Sequence, residues 1–360
     1  MWIWPIAGTI LLLILGFIVR SVVEESARET VANNLQTILD ADVAALEIWL
    51  EREESLAEVM AEEPRVQKLT AELVALNQQK LDDREALLHS RALVELRQEF
   101  ESELEHLNYL DIGLFSLEGR VLASARDEPI GRADLPIQKS ALEAVRQGKA
   151  TVTRPFESVF VRKDKSGELK SGLPTMLAMA PVNNADGKPI AALSLLIRPE
   201  VNFTRILSIA RAGKTGETYA FDKAGTMLSQ SRFDDDLKMI GLIPDRADAQ
   251  SILNVQIRDP QVNMTEGKRP ALRLADRPLT RMAALAVQGE AGIDANGYRD
   301  YRGVPVVGAW VWLPEYDLGV ATEMNAAEAY RPLYLLRYSF WGLFALLVLG
   351  AIVIFVFTII

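Results

Sequence analysis

The sequence predicts an α+β fold in which a long N-terminal helix precedes two antiparallel sheet modules, with an apolar helix at each end of the chain. Three observations support this prediction. Both ends are apolar, and every charged residue lies between Arg20 and Arg337. Residues 20–63 contain no glycine or proline and space their apolar side chains three or four apart. After residue 108 the apolar residues alternate instead, and glycine-containing turns separate the alternating runs.

The two apolar ends, Trp2–Val19 and Ser339–Ile360, are long enough to cross a membrane. A hydrocarbon core about 30 Å thick needs about 20 apolar residues in a helix. The first segment has no basic residue before it and no small-residue cleavage site after it, so we interpret it as a retained anchor and not a signal peptide. Residues 2–19 and 339–360 are therefore predicted transmembrane helices. We expect a cytoplasmic output domain that this sequence does not include.

Composition and motifs argue against several classes of function. The net charge of −10 disfavours nucleic acid as a partner, because nucleic acid requires a basic face. The chain has no cysteine, which excludes disulfides and thiolate metal sites. It also lacks the short motifs of phosphate-binding loops, serine hydrolases and zinc proteases. We therefore expect no enzyme activity, no metal and no cofactor.

Residues 20–107 are predicted to form a helical stalk. Pro64 ends its first helix, and Asp82-Asp83 interrupts the second helical region. An apolar stripe along the first helix comprises Val31, Leu35, Ile38, Ala45, Trp49, Leu56 and Met60. This coiled-coil-like spacing leads us to expect a homodimer through the N-terminal helix. The alternative is that the stripe packs on the rest of the same chain.

Two sheet modules follow, a membrane-distal one over 108–200 and a membrane-proximal one over 201–330. The first opens with a hairpin of Tyr109–Phe115 and Arg120–Ala125, and the second with Tyr219–Asp222 and Thr226–Gln230. The two hairpins match at Phe115 and Phe221, Gly119 and Gly225, Leu122 and Leu228, and Arg126 and Arg232. In each module a polar loop, a short helix and further strands come next. The repeat predicts two tandem PAS-like modules of five antiparallel strands each.

Two stretches of the second module carry a family resemblance. Gly213–Gly225 (GKTGETYAFDKAG) and Tyr301–Trp310 (YRGVPVVGAW) resemble the opening hairpin and the sheet of the second module in double Cache sensor regions. The order of long helix, distal module, proximal module and second apolar segment also matches. The resemblance implies a small-molecule sensor held by two spans in a bacterial cytoplasmic membrane, with the sensor region outside the cytoplasm.

The same resemblance places the ligand in the distal module, between the sheet and the loops that cross it. The candidate ligand-binding residues are Phe115, Arg132, Asp134, Phe156, Ser158, Phe160 and Met179. Phe156, Ser158 and Phe160 alternate onto one face, which puts a hydroxyl between two rings; the alternative is that both rings belong to the ordinary core. Amino-acid-sensing members carry an Arg-x-Trp-Tyr run here, but this chain has Arg132 without the Trp-Tyr pair. The resemblance therefore disfavours an α-amino acid bound in that manner.

The proximal module offers a second set of candidates. They are Tyr219, Arg232, Tyr298, Asp300 and Tyr301. Asp245–Arg277, a polar stretch longer than a typical loop, precedes the last three. Either it covers a proximal pocket or it elaborates the surface.

The sequence as a whole predicts a ligand-sensing region that signals through its second transmembrane helix. The alternative is a dimerisation or partner-protein-binding module whose pockets are vestigial. A sealed apolar interior would favour that alternative, whereas a cavity with converging polar groups would favour ligand sensing. A third class, an envelope enzyme, would need a cluster of perturbed titratable groups in a cleft.

Overall fold

A computed structural model of the chain describes residues 3–79, 83–107, 109–163 and 167–359. The predicted α+β class is confirmed, with a long N-terminal helix and two antiparallel sheets. Several predicted boundaries lie outside the described residues; these fall at Trp2, Asp82, Asn108 and Ile360.

Four helices form the stalk. They are α1 (Ile3–Glu62), α2 (Pro64–Gln79), α3 (Arg84–Leu88) and α4 (Arg91–Leu107). Pro64 is the first residue of α2, a position where the missing N–H removes no helical hydrogen bond. Asp83 caps α3, because its side chain accepts a hydrogen bond of 3.0 Å from the Ala86 amide. The predicted end of the first helix at Pro64 and the interruption at Asp83 are therefore confirmed.

The distal module is built on a five-stranded antiparallel sheet in the order β2-β1-β8-β7-β3, to which β4 adds beside β7. Its elements are β1 (Asp111–Ser116), β2 (Val121–Ser124), α5 (Lys139–Arg146), β3 (Thr151–Val152), β4 (Phe156–Glu157), β5 (Arg162–Lys163), β6 (Leu169–Lys170), β7 (Pro174–Asn183) and β8 (Pro189–Ile197). Residues 151–161 do not form one continuous strand. Pro155, which has no N–H to donate to a ladder, stands between β3 and β4.

The proximal module has a four-stranded antiparallel sheet in the order β10-β11-β12-β9. Its elements are α6 (Phe203–Leu207), β9 (Glu217–Phe221), α7 (Asp234–Met239), α8 (Arg281–Ala286), β10 (Gly292–Arg299), β11 (Pro305–Leu313) and β12 (Leu318–Asn325). The fifth strand predicted at Thr226–Gln230 was wrong. The amide of Met227 donates to the Val255 carbonyl at 2.9 Å, and Leu253 donates back to the Met227 carbonyl at 2.8 Å. The Leu228 amide also donates to the Ala220 carbonyl of β9 at 2.7 Å, so this segment lies between β9 and the long polar stretch and does not form a full strand of the sheet.

That polar stretch is part of the proximal core. Val255 and Ile257 are buried in the apolar cluster on one face of the proximal sheet. Gly303 approaches the stretch so closely that a Cβ at this position would lie 1.8 Å from the Val262 carbonyl oxygen, and its φ of +81° also favours glycine. Residues 245–277 therefore pack on the proximal module, and their role as the cover of a proximal pocket stays a prediction.

Each sheet is buried on both faces, and one face of each packs on the stalk. Along β1, Ile112 and Leu114 belong to the cluster that includes α1, whereas Phe115 belongs to a separate cluster on the other face. In α1, Leu35 and Leu46 are at most 1% exposed, and burial of each such side chain contributes about 2 kcal/mol. The apolar stripe of the stalk therefore packs largely on both modules of the same chain.

The C-terminal elements are α9 (Ala326–Ala329) and α10 (Arg331–Ile359). Within the described residues, one helical stretch is long and apolar enough to cross a membrane: Arg331–Gly350, with a mean hydropathy of 1.6. The described part of the first apolar segment is the beginning of α1, and it packs beside α10. There Gly16 faces the ring of Phe340, and a Cβ at Gly16 would lie 2.4 Å from its Cζ.

Candidate functional site

A small cleft with a cavity volume of about 60 Å³ opens on the face of the distal sheet that is turned away from the stalk. Strands β1, β7 and β8 form its floor, and residues 129–137 and 156–160 lie along its sides. Because side chains alternate along a strand, Leu177 and Leu196 reach the cleft while Met176 and Leu195 pack towards α1. The cleft is thus mainly apolar and separated from the stalk by a single sheet.

Four of the seven predicted distal residues line this cleft: Phe115, Phe156, Ser158 and Phe160. The Ser158 amide donates to the Leu173 carbonyl at 3.0 Å, which holds this segment beside the start of β7. The Ser158 hydroxyl lies 3.2 Å from the Phe160 amide, whose hydrogen bond it accepts. The predicted alternation of two rings around a hydroxyl is therefore present at the cleft, although a turn beyond β4 produces it.

The other three predicted distal residues do not line the cleft. Arg132 and Asp134 form a two-pronged ion pair with contacts of 2.8 and 2.6 Å, and this pairing lowers the pKa of Asp134. The guanidinium of Arg132 also lies 5.0 Å from the centre of the Phe160 ring. Met179 is fully buried in the core on the cleft side of the sheet. A direct ligand contact by these three residues stays a prediction.

The polar end of the cleft contains Asp111, Ser124 and Arg126, none of which the sequence analysis selected. The Asp111 carboxylate accepts hydrogen bonds from the Ser124 hydroxyl at 2.7 Å and from the Ala125 amide at 2.9 Å. Arg126 Nε lies 3.6 Å from Asp111 Oδ2, which is an ion-pair distance and too long for a hydrogen bond. The cleft therefore presents a guanidinium group beside a carboxylate that is already hydrogen-bonded.

A second arginine lies beside the floor of the cleft. Arg162 is 8% exposed, and its Nη2 donates to the Thr175 hydroxyl at 2.7 Å. Burial lowers the pKa of Arg162 to about 10; the charges of Arg126 and Arg198 act in the same direction, and that of Glu200 opposes them. Arg162 still carries its proton at neutral pH, so a desolvated positive charge lies close to the polar end of the cleft.

The five proximal candidates lie in or beside a buried polar network. Tyr301 donates its hydroxyl proton to Glu217 Oε1 at 2.6 Å, and Ser231 donates to Glu217 Oε2 at 2.9 Å. Tyr219 donates to Glu323 Oε2 at 2.8 Å. Tyr219 and Tyr301 are at most 1% exposed, so their hydroxyl groups form hydrogen bonds in the interior of the module.

The remaining charged candidates of the proximal module are also paired. Arg302 Nε donates to Asp300 Oδ2 at 2.7 Å, and its guanidinium stacks 3.6 Å from the centre of the Phe233 ring. Arg232 is half-buried and donates to the Gly216 carbonyl at 2.5 Å. Asp300 and Arg232 thus both bond to other groups of the same chain. A role in ligand binding stays a prediction for both.

The titration of the network follows from its burial. Burial raises the pKa of Glu323 to about 8, with a further contribution from the charge of Asp300. Burial likewise raises the pKa of Glu217 against the opposing charge of Arg302, and that of the buried Tyr298. Glu323 is therefore mostly protonated at neutral pH, which reduces the number of negative charges around the single guanidinium of Arg302.

The proximal module repeats the acid, serine and arginine of the cleft. Glu217, Ser231 and Arg232 occupy positions similar to those of Asp111, Ser124 and Arg126. Arg126 matches Arg232 in the sequence repeat, but only Arg232 was predicted to be a site residue. The repeat thus contained the signal for Arg126, whereas no motif pointed to Asp111 or Thr175.

No metal centre is evident in the described ranges, since no group of three acidic, histidine or cysteine side chains there could hold a metal ion. The expectation that the protein uses no cofactor stays a prediction. The same is true of the expectation that it has no enzyme activity.

No protein-family model and no curated protein sequence matches the chain. Similar folds occur among solved structures. The sensor domain of the histidine kinase DctB from V. cholerae is 12% identical with a TM-score of 0.48, covering 82% of this chain and 98% of that one. The periplasmic domain of RsbU from Chlamydia trachomatis is 15% identical with a TM-score of 0.45, covering 86% and 97%. The ligand-binding domain of the Pseudomonas aeruginosa amino acid chemoreceptor PctB, solved with L-Arg, is 12% identical with a TM-score of 0.43, covering 84% and 98%.

The architecture of this chain is that of two sheet modules supported by one helical stalk. One long helix supports both sheets, and a cleft opens on the distal sheet. The resemblance to double Cache sensor regions, stated above from the sequence, is confirmed in the order of elements and in the two sheets.

Proposed function

We propose that this chain is the ligand-sensing region of a membrane receptor and that it binds a small molecule in the distal cleft. The observation that carries the proposal is the cleft itself, where apolar walls meet a few placed polar groups. This combination favours ligand sensing over a module with vestigial pockets, for which a sealed interior would be expected. The binding region lies outside the cytoplasm, and two spans, residues 2–19 and 339–360, hold it in the inner membrane.

Transmission follows from the position of the cleft. The floor of the cleft is also the sheet that packs on α1, so a ligand that changes the curvature of this sheet changes its packing on the stalk. The same chain then continues through the proximal module into α10 and towards an output domain in the cytoplasm. A ligand shifts such an equilibrium only by its difference in affinity between the two states.

The homodimer stays a prediction, and its surface needs redefinition. Leu35, Trp49 and Met60 of the predicted stripe are buried against the same chain. Ile48 and Val59 are 67% and 60% exposed on the opposite side of α1. A homodimer through the N-terminal helix would therefore use this second side.

The test is a thermal-shift screen of small metabolites on the full chain in lipid nanodiscs, comparing wild type with Ser158→Phe. A ligand at about a hundredfold excess over its Kd should stabilise the protein by about 2.7 kcal/mol. A phenylalanine ring at position 158, which is 7% exposed, fills the cleft, so we expect Ser158→Phe to abolish the shift.

Ser158→Ala is the matched control, because it removes the hydroxyl while leaving the cleft open. We expect it to retain binding within about threefold, since a neutral hydrogen bond contributes about 0.5–1.5 kcal/mol and this hydroxyl bonds mainly to its own turn. A ligand whose shift survives Ser158→Phe binds elsewhere and contradicts the assignment of the cleft.

A further inference from the structure

The two charged side chains that line the distal cleft differ in how fully their hydrogen-bonding groups are used. Both oxygens of Asp111 accept hydrogen bonds from within the chain, and its side chain is 9% exposed. An ammonium group in the cleft would therefore find this carboxylate already satisfied and largely shielded. Asp111 stabilises the local structure and the position of Arg126, and it is a poor partner for a cationic ligand.

The hydrogen-bonding groups of Arg126, in contrast, are not used in this way. Its guanidinium has five N–H donors, and none of them makes a hydrogen bond to a described residue. Its ion pairs with Asp111 and Glu128 are 3.6 and 4.0 Å long. The side chain is 36% exposed, so unused donors lie at the edge of the cleft. A guanidinium with free donors is suited to a carboxylate, whose two oxygens match its planar fork.

The surroundings of Arg126 define the rest of the ligand. Phe160 lies beside it, with the guanidinium 5.8 Å from the ring centre. Phe115, Phe156 and Leu196 supply apolar surface further along the cleft. A ligand that reaches Arg126 therefore places the remainder of its body against aromatic and aliphatic side chains, which favours an apolar body.

We propose, as an extension of the proposed sensing function, that the distal cleft selects a small organic anion with an apolar body. Its anionic group pairs with Arg126, and its body packs against Phe115 and Phe156. The buried charge of Arg162 supports this polarity, because an anion nearby offsets the repulsion between Arg126 and Arg162. A ligand that depends on an ammonium group meets the charge of Arg126, while the one carboxylate among the described lining residues, that of Asp111, already accepts two hydrogen bonds.

The experiment compares matched series of ligands on the full chain in nanodiscs by isothermal titration calorimetry. One series is phenylacetate, phenylacetamide and phenethylamine; the other is 4-methylpentanoate, its amide and its amine. Phenylalanine and leucine provide the zwitterions. We expect a carboxylate to bind at least about tenfold more tightly than its neutral or cationic counterparts, a difference of about 1.4 kcal/mol.

Variants of Arg126 test whether the preference for carboxylates depends on this residue. Arg126→Gln should weaken carboxylate binding at least tenfold and remove the preference over the amide. Arg126→Lys, which retains the charge without the fork, should give an intermediate affinity. Arg91→Gln removes the same charge from a side chain that is 91% exposed on α4, and it should bind as wild type does.

The outcomes separate this inference from the proposed function. If amides or amines bind as tightly as carboxylates, and Ser158→Phe abolishes that binding, the anion inference is overturned while sensing in the cleft stands. The anion inference is also overturned, and sensing in the cleft again stands, if the carboxylates do not bind but a compound from the metabolite screen that is not an anion binds in the cleft. If neither the matched series nor the screen gives a ligand, the inference and the proposed function both fail.

Discussion

At the scale of single residues, Asp42 is a buried carboxyl group outside the cleft that should affect stability. It lies on α1, where the stalk packs on the proximal sheet, and it is 3% exposed. Its Oδ2 has no hydrogen-bond partner among the described residues. Burial raises the pKa of Asp42 to about 6, although a hydrogen bond with Thr218 opposes the shift. The stalk thus holds a carboxyl group whose charge state changes near pH 6.

The sign of the effect on stability follows from the direction of the shift. Because the pKa of Asp42 is higher in the folded protein than the ordinary value of 3.8, the folded state favours the protonated form. The resulting stability is fully present below about pH 4 and is lost as the pH rises through about 6. Ionised Asp42 therefore weakens the packing of the stalk on the proximal sheet at neutral pH.

Asp42→Asn should remove this dependence. We expect the free energy of unfolding to rise by about 2 kcal/mol at about pH 7.5 and to change little at about pH 4, because asparagine resembles the protonated acid. Thermal unfolding at the two pH values measures the difference. Asp40→Asn, at an exposed position on the same helix, serves as the control and should follow wild type. A variant of Asp42 whose stability changes with pH as wild type does would contradict the role given to this carboxyl.

At the scale of elements, α9 joins the proximal sheet to α10 and is held by the linker between the modules. Glu328 on α9 accepts hydrogen bonds from the amides of Lys214 and Thr215, both at 2.8 Å, and from the Thr215 hydroxyl at 2.5 Å. The Thr215 hydroxyl also accepts a hydrogen bond from the Asn325 amide at 3.2 Å. Hydrogen bonds thereby connect the segment that follows the distal module with the segment that leads into α10.

Replacing Glu328 should loosen this connection while leaving the cleft intact. We expect Glu328→Gln, which loses one carboxylate acceptor, to speed hydrogen exchange at the Lys214 and Thr215 amides about tenfold, and Glu328→Ala to speed it further. Hydrogen exchange followed by mass spectrometry measures the change. Glu290→Gln, at an exposed position of the same module, is the control. Unchanged exchange in both Glu328 variants would show that other contacts hold the linker.

At the scale of the whole molecule, α1 and α10 bring the two ends of the chain together. Gly16 of α1 faces the Phe340 ring of α10. Arg28 donates a hydrogen bond of 3.2 Å to the side chain of Asn296 on β10, and Tyr330 donates its hydroxyl proton to the Ala295 carbonyl. The N-terminal helix and the residue that precedes α10 thus both contact β10.

A double variant with cysteine at positions 16 and 340 tests this arrangement. The chain has no cysteine of its own, so the two new thiols are unique. We expect the pair to form an intramolecular disulfide in membranes under mild oxidation, detected by a mobility shift on non-reducing gels. The control combines cysteine at 16 with cysteine at 341, because Trp341 is 53% exposed and lies on another side of α10. Equal cross-linking of both pairs would argue against a defined contact between the two apolar segments.

Much of the fold was predictable from local pattern. The absence of glycine and proline up to Pro64 predicts the long helix, and the alternation beyond residue 108 predicts the sheets. Gly119 and Gly225 have φ values of +93° and +81°, as the two matched hairpin turns require. The segment predicted as a strand at Thr226–Gln230 pairs with β9 only briefly, because Met227 also exchanges hydrogen bonds with the distant Val255 region, and no local pattern records that second pairing.

The sequence by itself determined the class of protein: apolar ends, a helical stalk and a repeated sheet module, each a consequence of hydrophobic period and turn chemistry along neighbouring residues. Tertiary structure alone decided where the chemistry lies. It placed Asp111, Arg126 and Thr175 at one end of a cleft, and it enclosed Tyr219, Asp300 and Tyr301 in a buried network. The physical reason is that free donors, satisfied acceptors and burial depend on what folds against each side chain. For Asp111, Tyr219 and Tyr301 the hydrogen-bond partner lies on another strand.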